Sequence, residues 1–201
     1  MAPGIVIVGL GPGAREQLTL GAWQVLSEAR EVYLRTNQHP TVPHLPPGPE
    51  YHSFDEQYEA LDTFEQVYEE IARRVLELGR RPEGVVYATP GHPLMGETAT
   101  LKIITLAREA GLPLRVVAGV SFLEPVTTAL GIDPFDGLQI CDATILARKH
   151  HPNLDPDVAA LVVQVYNRRL ASEVKMTLLN LYHEEQPIRL VRGAGTPAQE
   201  V

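Results

Sequence analysis

The sequence predicts an α/β protein of two domains, with a mainly parallel sheet in the first domain and a mixed sheet in the second. Short β-branched runs alternate with helical patterns along residues 5–130, and this alternation is typical of parallel sheets flanked by helices. Three of the predicted strands end in stretches rich in Gly and Pro. The pattern changes near Pro134, where short β-like runs and polar loops begin. We therefore predict domains at 1–134 and 135–201.

The first domain opens with a β-branched run at 5–8, as expected for a strand covered on both faces. A helical pattern follows at 19–29, and a second strand is predicted at 31–35. Residues 36–62 are rich in Pro and His without a clear period, which predicts a long loop with one short helix. Thr63 starts the capping-box sequence TFEQ, so we expect a helix from there to Gly79.

The remaining elements follow from the same patterns. In the first domain they are a strand at 84–88, a helix at 97–110, a strand at 114–118 and a helix at 121–130. In the second domain they are β-like runs at 138–141, 143–146 and 160–165, a helix at 172–182 and a strand at 188–192.

The composition is that of a globular protein and argues against several classes of function. The 201 residues are 44% hydrophobic and carry a net charge of −8, which disfavours nucleic acid as a partner. The single cysteine, Cys141, excludes an internal disulfide and indicates a reducing compartment. No apolar run reaches the roughly 18 residues of a membrane span. We expect a cytoplasmic protein without a nucleic-acid or membrane partner.

The three unusual strand ends lie at the carboxyl edge of the predicted sheet, where ligands bind in open α/β folds. They read GLGPG at 9–13, TPGHPLMG at 89–96 and GVSF at 119–122. Glycine permits positive φ and a close approach of ligand to backbone, whereas proline fixes a turn and removes an N–H group. Each stretch alone could be a tight turn and nothing more. Together they predict a ligand that faces backbone.

The first of these stretches matches a dinucleotide fingerprint only in part. GLGPGA has its third glycine one residue early, and Pro12 stands where N–H groups would face a pyrophosphate. Arg35, Thr36 and Asn37 follow the second strand, where a nicotinamide site needs an acidic residue. A nicotinamide site is therefore disfavoured, while a purely structural turn remains open for this motif.

Taken together, the motifs resemble those of the tetrapyrrole methylase family. VGLGPG resembles the family's V-G-x-G-P-G, and PGHPLMG resembles its G-D-P-x-x-x-G with His92 in place of aspartate. AGVSF resembles P-G-[VI]-S-S, with Phe122 in place of the second serine. A closer resemblance is to the N-terminal domain of MazG-type nucleotide pyrophosphohydrolase fusions, in YLRTNQHP, VYATPGHP, VSFLEPVTTALGIDP and QVYNRRLASEVKMTLLNLY.

The resemblance implies S-adenosyl-L-methionine (SAM) as cofactor, folded in a cleft between the two domains and held largely by backbone groups. It implies as cofactor-binding residues Leu10, Gly11, Gly91, His92, Met95, Ser121, Phe122, Val165, Tyr166, Ala194 and Gly195. It also implies a homodimer, a small-molecule acceptor, and a MazG-type domain in the same chain or as a partner. The family's second domain continues beyond VRGAGTP, so we expect the 135–201 domain to be truncated or part of a longer chain.

Two functions remain open: a SAM-dependent methyltransferase, and a non-catalytic SAM-binding module that regulates a MazG-type pyrophosphohydrolase. A base is needed only if the acceptor must lose a proton, and no catalytic residue is predicted. His92 fits a turn residue with a hydrogen-bond partner better than a base. No metal site is predicted, because adjacent His150 and His151 cannot easily ligate one metal together.

Overall fold

The computed structural model describes residues 4–201 and divides them into two compact units. The first unit comprises the residues up to Ala129 together with residues 191–201, and the second comprises residues 130–190. The predicted domains, 1–134 and 135–201, differ from this division mainly in the last residues, which the structure groups with the first unit. Within the described residues, no helix is both long and apolar enough to cross a membrane.

The first unit is built on a five-stranded parallel sheet with strand order β3-β2-β4-β1-β5. The strands are β1 (Ile5–Gly9), β2 (Glu31–Leu34), β3 (Glu50–Ser53), β4 (Val85–Thr89) and β5 (Leu114–Val117). Ile5 of β1 pairs with Val85 on one side and with Leu114 on the other. Every residue of β4 is buried, as its near-continuous apolar sequence predicts.

Helices cover both faces of this sheet. They are α1 (Leu20–Glu28), α2 (Asp55–Ala60), α3 (Phe64–Gly79), α4 (Thr98–Glu109) and α5 (Leu123–Leu130). Ile71 of α3 and Ile103 of α4 pack with Tyr87 of β4 in one core cluster. Leu26 of α1 packs with Val32 of β2 in a second cluster. The hydroxyl of Thr63 accepts a hydrogen bond from the Gln66 N–H at 3.3 Å, which confirms the predicted start of α3.

The second unit contains β6 (Leu138–Asp142), α6 (Ala143–Leu146), β7 (Ala159–Val163) and α7 (Arg168–Leu178). Its two strands are parallel, with Leu138 opposite Ala159, whereas the sequence predicted a mixed sheet. Its small core consists of Ala143, Leu146, Leu170 and Val174.

Three local predictions are wrong. Residues 143–146 are helical rather than extended, because the carboxylate of Asp142 accepts the Thr144 N–H at 2.7 Å and caps the turn. Residues 188–192 form no strand, and Arg192 instead makes an isolated bridge with Glu200. The predicted loop at 36–62 contains β3, an edge strand whose residues are half-buried or exposed. An edge strand needs no apolar run, so its sequence EYHS carries little β signal.

Candidate functional site

The ends of β1, β4 and β5 meet backbone to backbone at the carboxyl edge of the first unit's sheet. A Cβ atom added to Gly9 would lie 2.6 Å from both the Gly119 nitrogen and the Gly91 oxygen. A Cβ at Gly119 would also meet the Gly91 oxygen, at a distance that no real side chain adopts. Only glycine therefore fits at positions 9 and 119, where the strand ends meet main chain to main chain and the Pro93 ring also approaches Gly9.

Gly11 and Gly91 form an isolated antiparallel bridge at this edge. The Gly11 N–H donates to the Gly91 oxygen at 3.2 Å, and the Gly91 N–H donates to the Gly11 oxygen at 2.8 Å. Both residues have positive φ, +72° and +66°. Their surroundings differ: a Cβ at Gly11 would lie 2.7 Å from the Gln17 oxygen, while a Cβ at Gly91 would meet no atom within 4 Å. Gly91 thus faces open space and Gly11 does not.

The side chain of Leu10 is fully buried and packs in the core with Val8 and Leu26. Its N–H donates to the Thr89 oxygen at 2.9 Å, and its oxygen accepts from the Thr41 hydroxyl at 3.3 Å. Leu10 therefore positions the turn after β1. The cofactor contact of Leu10 remains a prediction. Because its side chain is buried in the core, only its main-chain atoms could make that contact.

His92 and Met95 belong to the turn that follows β4. The Nδ1 atom of His92 accepts the Leu94 N–H at 3.1 Å, and the His92 carbonyl accepts the Met95 N–H at 3.0 Å. His92 is thus a turn residue whose imidazole accepts a hydrogen bond at Nδ1. The second polar atom of the ring is Nε2. Met95 is 38% exposed, so its thioether is accessible beside the turn.

Ser121 and Phe122 connect β5 to α5. The buried Ser121 hydroxyl donates to the Glu124 carboxylate at 2.6 Å and accepts the Leu123 N–H at 3.0 Å. Burial by itself would raise the pKa of Glu124, but hydrogen bonds from Ser121 and the backbone, together with the nearby His92, lower it below its ordinary value. An ionised carboxylate therefore lies beside the turns of β4 and β5.

Gly195 lies against the turn after β1, in the same unit as Gly11. A Cβ at Gly195 would come 2.5 Å from Nε2 of Gln17 and 2.8 Å from Cβ of Pro125. Ala194 is half-buried next to it. Since Gln17 also lies against Gly11, the structure brings Gly11, Gly91 and Gly195 to one region of the first unit.

Val165 and Tyr166 belong to the second unit, where they follow β7 and are 44% and 64% exposed. They come directly after Gln164, whose φ of +65° is uncommon for a residue with a side chain. Strained backbone of this kind clusters at functional sites, and no signal in the sequence singled out Gln164.

Sequence reasoning also missed a polar cluster at the ends of β2 and β4. Nη1 of Arg35 contacts Oε2 of Glu97 at 2.9 Å, and Nε of Arg35 donates to the Tyr58 hydroxyl at 2.9 Å. The hydroxyl of Thr89 donates to the same oxygen of Glu97. Burial alone would lower the pKa of Arg35, but the Glu97 carboxylate and Tyr58 raise it, so the guanidinium stays charged. Arg35 and Glu97 stand 62 positions apart, and neither lies in a pattern that predicts their pairing.

Comparison with known proteins identifies the fold and the family. The family model for tetrapyrrole (corrin/porphyrin) methylases matches residues 4–201. The crystal structure of uroporphyrin-III C-methyltransferase from Thermus thermophilus superposes with a TM-score of 0.69 at 25% identity, over 98% of this chain and 81% of that one. A second structure of that enzyme, complexed with S-adenyl homocysteine, gives a TM-score of 0.62 at 22% identity, over 98% and 85% of the two chains.

Two curated proteins are related in sequence. Uncharacterized protein YabN of Bacillus subtilis strain 168 is 38% identical over 208 residues, which cover all of this chain and 40% of YabN. A methyltransferase/type III borosin cyclic peptide precursor of Anomoporia bombycina is 30% identical over 140 residues, or 67% of this chain and 16% of that protein. This chain therefore spans less than half the length of either relative. The family match along nearly the whole chain, on the α/β fold predicted from its sequence, shows that the chain belongs to the tetrapyrrole methylases.

Proposed function

We propose that this chain is a SAM-dependent methyltransferase that acts on a neutral or cationic small molecule. The observation that carries the proposal is the side-chain-free surface at Gly91, where three strand ends converge and a Cβ would meet nothing within 4 Å. Family membership and the S-adenyl homocysteine complex of the Thermus thermophilus enzyme support SAM as the cofactor.

The residues at this edge fit a cofactor that is held by backbone. Within residues 4–201, the N–H groups of His92 and Val120 have no hydrogen-bond partner and remain free to bind a ligand. The ionised Glu124 beside them would favour a positively charged sulfonium or ammonium group. Gly11 and Gly91 use their own N–H and C=O groups on each other, so they would contribute shape rather than hydrogen bonds.

When bound, SAM would supply an activated methyl group for transfer to a nucleophilic atom of the acceptor, with S-adenosyl homocysteine as the leaving group. This reaction needs no covalent help from the protein. Holding the reactants in line supplies much of the rate, and the rigid turns at Gly9, Gly91 and Gly119 are suited to that task. No side chain is assigned as a base, because the need for one depends on whether the acceptor must lose a proton.

The charge of segment 36–62 supports an acceptor that is not a polyanion. This segment joins β2 to α3 and has no Lys or Arg, and the part that follows the carboxyl end of β3 contains Asp55, Glu56, Glu59 and Asp62. The nearest arginine, Arg35, is already paired with Glu97. A polycarboxylate such as uroporphyrinogen would meet repulsion here rather than ion pairs.

Isothermal titration calorimetry tests the cofactor. S-adenosyl homocysteine should bind with a micromolar Kd, a free energy of roughly −8 kcal/mol, and NAD should not bind. Binding of NAD with no response to S-adenosyl homocysteine would overturn the proposal. Uroporphyrinogen III titrated into the complex should give no signal, and tight binding of it would refute the proposed acceptor class.

Turnover separates the methyltransferase from the alternative predicted from the sequence, a SAM-binding module that regulates a MazG-type pyrophosphohydrolase. An enzyme releases S-adenosyl homocysteine from SAM when supplied with the small-molecule fraction of a cell extract, whereas a regulatory module does not. The homodimer, the MazG-type partner and the cytoplasmic location are likewise proposals that rest on resemblance. Light scattering checks the first, since a dimer has twice the 22.1 kDa mass of the chain.

A further inference from the structure

The turn after β4 is closed at its base by side chains. We call residues 90–96 the Gly91 loop; Thr89 precedes it and Glu97 follows it. The Thr89 hydroxyl donates a hydrogen bond to Oε2 of Glu97, which joins the two ends of the loop. Both residues are buried, Thr89 completely and Glu97 to 5% exposure. The width of the loop at its base is therefore fixed by one contact that water cannot easily replace.

Glu97 occupies the N-cap position of α4, yet its carboxylate does not cap the helix. It turns instead toward Thr89 and Arg35, and within residues 4–201 its second oxygen, Oε1, has no hydrogen-bond partner. A buried carboxylate is costly unless it is paired, and the positive end of α4 together with Arg35 offsets that cost. A carboxylate is thus buried at the base of this loop, although an apolar residue would fill the same space at a lower cost in free energy.

Contacts of both its backbone and its side chain fix the position of Arg35. Its backbone N–H donates to the Ala88 oxygen at 2.8 Å, which places it beside the last residues of β4. Its Nε contacts the Tyr58 hydroxyl, and its guanidinium lies 5.6 Å from the centre of the Tyr68 ring. Through Arg35, the position of Glu97 and of the end of the Gly91 loop is therefore fixed relative to the sheet.

We propose that Arg35, Glu97 and Thr89 are positioning residues that set the shape of the Gly91 loop for cofactor binding. The inference rests on the proposed function, because the loop carries Gly91, His92 and Met95 of the proposed SAM site. Arg35, Glu97 and Thr89 themselves do not touch the cofactor. They act through the loop, so their loss changes cofactor affinity by more than it changes stability.

A second ion pair in the same unit provides a matched control. Nη2 of Arg81 contacts Oε2 of Glu31 at 3.1 Å, and the Arg81 guanidinium lies 5.9 Å from the centre of the Tyr33 ring. Glu31 is the first residue of β2, and Arg81 precedes β4, so this pair sits at the amino ends of the same two strands. It resembles the Arg35–Glu97 pair in chemistry but lies at the opposite edge of the sheet.

The experiment compares S-adenosyl homocysteine affinity, measured by calorimetry, with melting temperature. Thr89→Val removes only the hydroxyl that closes the loop, and we expect Kd to rise at least tenfold. The double variant Arg35→Met/Glu97→Met removes the pair together, which often restores stability. Its melting temperature should approach that of the wild type while Kd stays raised. Arg81→Met/Glu31→Met should leave Kd within twofold of the wild-type value.

The outcomes separate this inference from the proposed function. Wild-type affinity in both Thr89→Val and Arg35→Met/Glu97→Met would overturn the inference alone. An equal loss of affinity in the Arg81→Met/Glu31→Met control would also overturn it, because the effect would then be a general loss of stability. Failure of the wild-type protein to bind S-adenosyl homocysteine would overturn the proposed function and remove the basis of the inference. If Thr89→Val does not fold, the double variant still decides the question.

Discussion

Gly11 and Gly91 are partners in one bridge, but a side chain would have different consequences at the two positions. The Cβ of any residue at position 11 would collide with the Gln17 backbone, so Gly11→Val should lower stability as well as ligand affinity. Such a variant cannot separate a structural turn from a binding site. Gly91 is the better position, because an added methyl group meets only open space there.

Gly91→Ala should weaken S-adenosyl homocysteine binding at least tenfold while costing only the strain of positive φ, roughly 1–2 kcal/mol of the free energy of unfolding. Gly111 has a φ of +64° and equally open surroundings, and it follows α4 at the other end of the sheet. Gly111→Ala should therefore lose similar stability and no affinity. Calorimetry and urea unfolding of the two variants make the comparison, and equal affinities would show that Gly91 does not face the cofactor.

His39 makes the stability of the first unit depend on pH. Burial lowers the pKa of its imidazole to about 4, and its Nδ1 atom is buried without a partner in the described residues. The unfolded chain, with an ordinary pKa of about 6.5, binds the proton more readily. Stability from the neutral imidazole is therefore full above pH 6.5 and is lost as the pH falls from there toward 4.

Between pH 7.5 and pH 5.0, wild-type protein should lose up to about 2 kcal/mol more of its free energy of unfolding than His39→Asn. Urea unfolding at the two pH values measures the difference. His44 is exposed and lies in the same segment, so His44→Asn serves as the control and should keep the pH dependence of the wild type. The same pH dependence in His39→Asn and wild type would mean that His39 is accessible to protons in the folded state.

At the scale of elements, the accuracy of prediction follows burial. Strand β4 and helix α3 were predicted within about one residue, because a fully buried strand has a continuous apolar run and an amphipathic helix has a strong periodic pattern. Strand β3 was missed because an edge strand exposes polar residues. Residues 143–146 were misread because their apolar sequence ATIL suits a strand or a helix, and the Asp142 cap decided between them.

The candidate site also contains residues that could be predicted from the sequence and residues that could not. Its glycines could be predicted, since strand ends of a parallel sheet meet at one edge and the Gly-rich stretches mark those ends. The Arg35–Glu97 pair could not, because a contact between residues on different elements leaves no periodic trace in a single sequence. The position of Gln164 in the left-handed region was also beyond prediction, since glutamine has no special preference for it.

At the scale of the whole molecule, the two units differ in how well their strands are protected. Every residue of β4 is buried, whereas no residue of β6 or β7 is fully buried. Amide exchange follows local opening, which is easiest where few apolar contacts must be broken. We therefore expect β6 and β7 to exchange amide hydrogens at least tenfold faster than β1 and β4. Hydrogen-exchange mass spectrometry checks this, and uniform protection across 4–201 would contradict it.

The order of strands in the sheet has a consequence for synthesis. Ile5 lies in a strand whose two neighbours are formed by residues 85–89 and 114–117, so it has no partner until those residues have left the ribosome. At roughly 5–20 residues per second, that delay is roughly 5–20 seconds. Residues 191–201 are also part of this unit, so its contacts with them can form only after they have been synthesised. An apolar strand held open for that time is a binding site for chaperones, and folding yield in the cell should depend on them.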